Sequence, residues 1–430
     1  MKNIVKFILI CIIIFFLSGS AHAEIIKIAS YNVENLFDLA RGQTEYAEYI
    51  PKSPYGWNKK NFDIKLKNIA KLIKDLNPDI IGLQEIESER ALIALQHRLS
   101  NFNVNYPYRA IANSKPTTVK CALLSKFPII SKQEIKIRSK SARNILKVEI
   151  KINKRHLIIF VNHWKSKHGP ESQRIAYAKA LKKDINELKK TTDFIILGDF
   201  NSNYNEYNTF IYNSKLNNTS GITGINHILK TIKDQKLVTE NELIRNINSA
   251  YLYNLWLELD PSKRWSSTFF KEKNTPDSII LSPGLYDHKG LSYIDNSFDR
   301  FSPDYLFKEN KIYRWQRSEK GRGRHLGLGY SDHLPIFACF STKPFQAKNS
   351  PASHNTNYFN KADENKLINI NKAAAHQLIK INGIGPSLSK KIISKRPYRK
   401  IDDLLEVKGI GKKTLEKLRP YICIQESKQD

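Results

Sequence analysis

Short apolar runs rich in β-branched residues recur along the first three quarters of the chain, each bounded by polar or turn-forming residues. IIKIASY (25–31), DIIGLQE (79–85), CALLS (121–125), ILKVEI (145–150), LIIFVNH (157–163), DFIILGDF (193–200), SIILS (278–282) and LPIFACF (334–340) predict strands. Between them, Asn61 to Leu76 carries apolar residues at Ile64, Leu66, Ile69, Leu72, Ile73 and Leu76, the spacing of an amphipathic helix, and Gln173 to Leu188 reads the same way. Such alternation from Ile25 to about Thr342 predicts one mixed α/β domain. Asn201 to Asn254 is heavy in Asn and Tyr and fits neither period, so loops and short helices on the rim of a site are expected there.

The pattern breaks at Lys343. From there to Asn360 the chain is rich in Ser, Asn, Pro, Ala and Lys without apolar period, which reads as a linker (343–360). Beyond it a lysine-rich, helical stretch, Leu367 to Ile424, has its glycines only at GIG and KGIG, and predicts a small all-α domain (361–424). At the other end, Lys2 and Lys6, the apolar run Phe7 to Leu17 and the small residues around Ala21-His22-Ala23 have the layout of a signal peptide (1–23). The run is too short to cross a bilayer comfortably. The mature chain is expected from Glu24 (domain 24–342), periplasmic or secreted and without stable membrane insertion; an uncleaved anchor is the alternative.

Charge narrows the partners. The formal net charge is +29, and loss of the leader removes only Lys2 and Lys6 from it. An excess of this size favours a polyanion, with nucleic acid ahead of an anionic membrane or cell-wall polymer. Without Cys11 the remaining cysteines, Cys121, Cys339 and Cys423, are odd in number and cannot close a disulfide framework. Burial must therefore hold the fold, and Cys121 and Cys339 read as small buried hydrophobes in strands.

Acidic, amide and imidazole side chains gather where the apolar strands run out. Asn32 and Glu34 follow the first strand, Glu85 closes the second and His163 closes LIIFVNH. Asp199 and Asn201 close IILGDFN, Asp277 opens SIILS, and Asp332 with His333 precedes the last strand. A single Asp at a strand end is usually a turn former. A whole set of hard-oxygen and imidazole donors at strand ends is the arrangement of a site, because loops at strand ends can aim distant residues into one pocket. Oxygen donors favour Mg²⁺, with Mn²⁺ or Ca²⁺ as alternatives, over zinc. Two histidines can accept and donate protons near neutral pH.

In order, YNVENLFD, LQEIE, NHWKSK, GDFN, TPDSIIL and YSDHLP resemble the motifs of the endonuclease/exonuclease/phosphatase superfamily, which includes deoxyribonuclease I-like enzymes, abasic-site endonucleases, sphingomyelinases and inositol-phosphate phosphatases. The resemblance spans Ile25 to Ser341. It implies a four-layered α/β/β/α sandwich with the active site at one edge of two packed sheets. By position it assigns Glu34 and Glu85 to a metal, with Asn32 supporting and Asp332 completing or adjoining the shell. His333, oriented by Asp277, would activate water or steady the scissile phosphate, and His163 would protonate the leaving oxygen. Asp199 and Asn201 would contact the phosphate or position water, with the general base left open, and Arg143 would point at a substrate phosphate. Two features depart from the family: Lys115 to Lys120 lacks the tyrosine of several members, Tyr106 and Tyr108 lying earlier, and Asp277 is followed by a small serine.

In the tail, INGIGPSLSKKI and VKGIGKKTLEKL repeat one pattern: a helix ends, two glycines flank an isoleucine, and a lysine-bearing helix begins. Gly383, Gly385, Gly409 and Gly411 permit close backbone approach, and Pro386 suits the first position of a helix. Backbone N–H groups at such a helix start can receive a phosphate oxygen, with Lys390, Lys391, Lys412 and Lys413 adding charge. The pair resembles the helix-hairpin-helix repeat and the DNA receptor domain of bacterial competence proteins. Contact of this kind reads no bases. The expectation is therefore a monomeric, exported metal-dependent nuclease on duplex DNA with little sequence preference, RNA remaining open. A secreted phospholipase or sphingomyelinase, and a non-catalytic DNA-uptake receptor, are the alternatives.

Overall fold

The computed structural model describes residues 24–139, 142–211, 213–269, 272–347, 368–373, 378, 381, 384 and 386–424. The leader and most of the linker, with the expectations placed on them, lie outside the described residues. The chain divides into two compact units, within 1–349 and 350–430.

In the first unit the strands of the two large sheets are β1 (Ile25–Leu36), β2 (Ile80–Ile86), β3 (Tyr108–Ile111), β4 (Lys120–Ser125), β5 (Ile129–Ile135), β6 (Ile145–Ile152), β7 (Arg155–His163), β8 (Phe194–Asp199), β9 (Tyr253–Asn254), β10 (Asp277–Leu281), β11 (Ser292–Tyr293), β12 (Asp299–Arg300) and β13 (Ile336–Ser341). One sheet runs β11-β13-β1-β2-β4-β3, with β12 also on β13, and the other runs β9-β10-β8-β7-β6-β5. All eight strands expected from the sequence are present.

Alternation along each strand explains the layering. In β1, Ile26 and Ile28 join β7 and β8 residues such as Ile159, Val161, Ile195 and Leu197 in a core between the sheets. Ala29, Tyr31 and Val33 face the other way, toward helices α1 (Lys59–Leu76) and α2 (Glu89–Ser100). Behind the second sheet, Phe160, Ile196 and Ile280 pack on Tyr177, Ala178 and Leu181 of α3 (Glu171–Asn186). The result is an α/β/β/α sandwich. Strands covered on both faces lose the polar alternation of a half-exposed sheet, and every residue of β8 and β10 is buried. The sheets approach closely at Gly82, where a Cβ would run into Leu197 and Val161.

Caps set the helix ends. The Asn58 side chain accepts from the Asn61 amide at the start of α1, which stops at Asn77 in the left-handed region. Ser88 caps α2 in the same way, through the Ala91 amide. The Asn201 to Asn254 stretch differs from expectation. It does contain short helices, but Ile225, Leu229 and Leu252 are buried with α3 and Trp164, so much of it covers the outer face of the second sheet. Cys121 is buried in β4, Cys339 is half-buried in β13, and no disulfide joins the described cysteines.

In the second unit, Ile370, Ile392, Leu404, Val407, Ile410, Leu415, Leu418 and Ile422 share an apolar core. Its described helices include α4 (Pro386–Ser394) and α5 (Lys412–Leu418), and a short parallel pair joins β14 (Ile368–Asn369) to β15 (Ile422–Cys423). That pair departs from the all-α expectation: two-residue strands carry too little period to be read from sequence.

Candidate active site

Register builds most of the site. His163 lies opposite Asp199 in the β7–β8 pair, and Asp199 lies opposite Asp277 in the β8–β10 pair, so three strands end in one row. Gly198 makes the row: its φ is +133°, and a Cβ there would collide with the Asn162 backbone. Asn32 crosses from the other sheet, its amide donating to Asp199 Oδ2 at 3.0 Å and Glu85 Oε1 at 3.2 Å.

Glu34 and Glu85 are turned into the site by irregular backbone. The β1–β2 register shifts between Asn32 and Leu36 and the β2–β4 register between Leu83 and Ile86, and within these breaks Glu34 (φ 51°) and Glu85 (φ 67°) are left-handed. Left-handed non-glycine backbone is strained and persists where surrounding bonds impose it. Here the Glu34 N–H donates to Asn32 Oδ1 at 3.0 Å.

The imidazoles meet the row from two sides. His163 Nε2 is 3.7 Å from both Asp199 Oδ2 and Glu85 Oε1, while His333 Nε2 is 4.0 Å from Asp199 Oδ2 and 3.9 Å from Asp332 Oδ1. His333 Nδ1 bonds Asp277 Oδ2 at 2.7 Å, and Ser266 Oγ donates to that same oxygen at 2.6 Å. Ser331 Oγ anchors the His333 loop by donating to the Asn32 carbonyl at 2.7 Å.

Environment drives the two histidines apart. Burial, reinforced by Arg143 and His333, holds His163 well below the usual imidazole range. For His333 burial works in the same direction, but the adjacent carboxylates Asp277, Asp332 and Asp199 outweigh it and hold the imidazole well above that range. Burial also raises the acids: Glu34 to about 7, with Asp332 adding repulsion, Asp199 to about 7, and Glu85 in the same direction.

The other expected residues fall as follows. The Asn201 amide donates to the Trp164 carbonyl at 3.1 Å and its N–H to Asp199 Oδ1 at 2.8 Å, so it fixes the loop beneath Asp199. Arg143 precedes β6, its charge acts on Glu85 and His163, and its buried Nε has no hydrogen-bond partner among the described residues. Tyr106 lies elsewhere, its hydroxyl on the Pro78 carbonyl at 2.6 Å. In the tail, Gly409 has φ +116° and Gly411 caps α5, which Lys412 and Lys413 open; Lys390 and Lys391 are exposed on α4. Gly383 and Gly385 lie outside the described residues.

Two cations escape a reading of the sequence. The Arg314 guanidinium clasps Glu34, with Nε 2.9 Å from Oε1, and reaches Asp332 Oδ2 at 3.3 Å. Lys65, fully buried on the inner face of α1, donates to the Tyr330 carbonyl at 2.8 Å, and burial lowers it to about 8. Arg314 sits in a basic stretch just before YSDHLP, the one signal that could have marked it.

Residues 27–342 match the family described as Endonuclease/Exonuclease/phosphatase family. The chain belongs to that family. Residues 363–423 match the helix-hairpin-helix motif. ComE operon protein 1 of Bacillus subtilis is 38% identical over 63 residues, covering 14% of this chain and 31% of that protein. The Holliday junction branch migration complex subunit RuvA of Pectobacterium carotovorum is 32% identical over 105 residues, covering 21% and 50%. The chain thus spans 31% and 50% of the length of these two relatives. A solved structure of humanized D. rerio TDP2 is similar at 13% identity and TM-score 0.46, over 74% of this chain and 98% of that one.

Family members typically work with a divalent metal, and the donors here fit one. Asp199, Asp277 and His333 offer ligand atoms within 4.8 Å of one another, and Asp277 Oδ1 is buried without a hydrogen-bond partner. Glu34, Glu85 and Asp332, assigned to the metal by the resemblance, do not close to that span among the described residues, and the Arg314 guanidinium contacts both Glu34 and Asp332. Their oxygen chemistry still suits a hard cation.

Proposed function

We propose that the protein is an exported, divalent-metal-dependent nuclease that hydrolyses DNA phosphodiesters with little sequence preference, using Mg²⁺, with Mn²⁺ or Ca²⁺ able to replace it. Export rests on the pattern of residues 1–23; among the described residues no helix is long and apolar enough to cross a membrane.

The observation that carries the reading is the placement of Asp199 between two imidazoles of opposite tendency, His163 at 3.7 Å and His333 at 4.0 Å. Glu34, Glu85, Asn32 and Asp332 would hold a divalent cation, which would supply positive charge to offset the phosphodiester and its transition state. Asp277 keeps His333 protonated and oriented, so that its Nε2–H donates to a phosphate oxygen. Asp199 accepts a hydrogen bond from the attacking water, on a loop held by Asn201. The negative phosphate favours protonation of His163, which then passes its proton to the leaving oxygen. Arg143, with an unsatisfied donor, steadies the neighbouring phosphate.

Nucleic acid is favoured over lipid by the net charge of +29 and by the helix-hairpin-helix tail with exposed Lys390 and Lys391. Incubating full-length protein with supercoiled circular duplex tests the reading: nicked and linear products are expected with Mg²⁺ and none with a chelator. Release of phosphocholine from sphingomyelin vesicles without cutting of the circle would overturn the assigned substrate.

A further inference from the structure

Glu34 is held at both oxygens by two consecutive residues. The Arg314 guanidinium takes Oε1, and the Trp315 N–H donates to Oε2 at 3.1 Å. Exposure is lopsided: the Glu34 side chain is 10% exposed, Asp332 33% and Arg314 56%. A carboxylate that deeply buried stays ionised only beside a cation and otherwise keeps a proton. The guanidinium that meets the need lies at the mouth of the site and is itself 56% exposed. Losing it alone would leave Glu34 buried and unpaired, so Arg314 can leave only if another cation takes its place.

The alternatives near Glu34 are few. Lys65 acts on it electrostatically but is fixed on the Tyr330 carbonyl and lies over the Trp315 ring at 5.0 Å. The Arg314 backbone is fixed as well, since the Tyr313 N–H bonds the Leu306 carbonyl and the Gln316 N–H the Leu328 carbonyl, each at 2.8 Å. Only the side chain is free to swing. Beside it opens a cleft of about 380 Å³ lined by Glu34, Glu48, Trp315, Arg317 and Lys320.

We propose that Arg314 is an exchangeable counter-cation of the site: its guanidinium holds Glu34 and Asp332 until a divalent ion takes its place, and it then turns to a phosphate of the substrate. The proposal rests on the metal-dependent reading above. Exchange keeps the two carboxylates neutralised at every stage and delivers a second cation to the substrate when the first is in place. Arg317, paired with Glu48 at 3.1 Å, and Lys320 line the cleft beside the guanidinium, so a phosphate there meets Lys320 together with the released Arg314.

The test uses the full chain in a His163→Ala background, which is expected to bind DNA without cutting it. Mn²⁺ affinity is measured by titration calorimetry, and affinity for a short duplex by fluorescence anisotropy, each with and without Arg314→Ala. Removing a competing cation is expected to tighten Mn²⁺ by about tenfold, within the usual range for coupled sites, with Arg314→Lys in between. Damage to the fold cannot produce tighter binding. Duplex affinity should fall in Arg314→Ala only when Mn²⁺ is present. Equal or weaker Mn²⁺ binding by Arg314→Ala, in a background that itself binds the ion, overturns the exchange alone. Failure of both chains to bind Mn²⁺ overturns the exchange together with the metal-dependent reading.

Discussion

Replacing Asp277 with Asn separates charge from shape at His333. Asp277 is 1% exposed, and its Oδ2 accepts both the His333 imidazole at 2.7 Å and the Ser266 hydroxyl at 2.6 Å. An amide oxygen can keep both bonds, with the new NH₂ at the position of Oδ1, which lacks a partner. Orientation is thus retained and the charge removed. A hydrogen bond to a charged group contributes about 1.5–3 kcal/mol, equivalent to a fall of about 1–2 units in the His333 pKa. Asp332 and Asp199 remain beside the ring, which keeps the fall from being larger. The alkaline limb of the pH–rate profile for plasmid nicking should move down by that amount, with kcat near neutrality lower by about 10²–10⁴-fold if His333 carries a proton-transfer or charge-stabilising role. Because the folded pKa of His333 lies above its unfolded value, the pairing stabilises the protein fully below the unfolded pKa and fades as pH rises through the folded one. The variant should therefore lose most stability in acid. An unmoved alkaline limb together with unchanged kcat would refute the role given to the pair.

Three further outcomes are expected. His163→Ala should lower kcat by about 10²–10⁴-fold while leaving duplex affinity, by filter binding or anisotropy, within error of the parent. The rise in Tm on adding Mg²⁺ to chelated protein should grow between about pH 4.5 and 7. Over that window the folded chain without metal must lose the proton that burial keeps on Glu34, a shift from 4.5 to about 7 worth roughly 3 kcal/mol. A Tm gain that is flat with pH would sink this. Deleting residues 361–430 should weaken duplex binding and make its salt dependence shallower, by about 0.9 log units per log unit of salt for each phosphate that the shortened chain leaves unneutralised. Cleavage of saturating DNA should change much less.

The strands are legible because sandwich burial leaves a strong trace. β8 and β10 are covered on both faces, so DFIILGDF and SIILS are unbroken apolar runs. The helix α2 keeps helical spacing at Ala91, Leu92, Leu95 and Leu99, but its 12 residues leave a weaker periodic trace than the 18 of α1. The stretch after Asn201 reads as rim because its apolar residues are interrupted by many Asn, Tyr and Thr and hold no long period. Ile225, Leu229 and Leu252 become a cover for the second sheet only once the fold brings them together.

At the site, residue type is legible and partnership is not. Asp199, His163 and Asp277 each close or open an apolar run, but that they form one row depends on two strand pairings, one parallel and one antiparallel, that no local pattern encodes. Arg314 and Lys65 are invisible for a related reason. A lysine on a helix is ordinarily solvated, and an arginine in a basic loop is ordinarily surface charge. Both become part of the site only because Glu34, with left-handed backbone, turns a carboxylate into a dry pocket that needs positive charge nearby. The acids announce the chemistry, and the cations that make those acids tolerable come from segments whose sequence has no reason to mention it. A sequence search for such sites should therefore ask which basic residues lie just upstream of each acidic motif, since burial of the acid obliges one of them to answer.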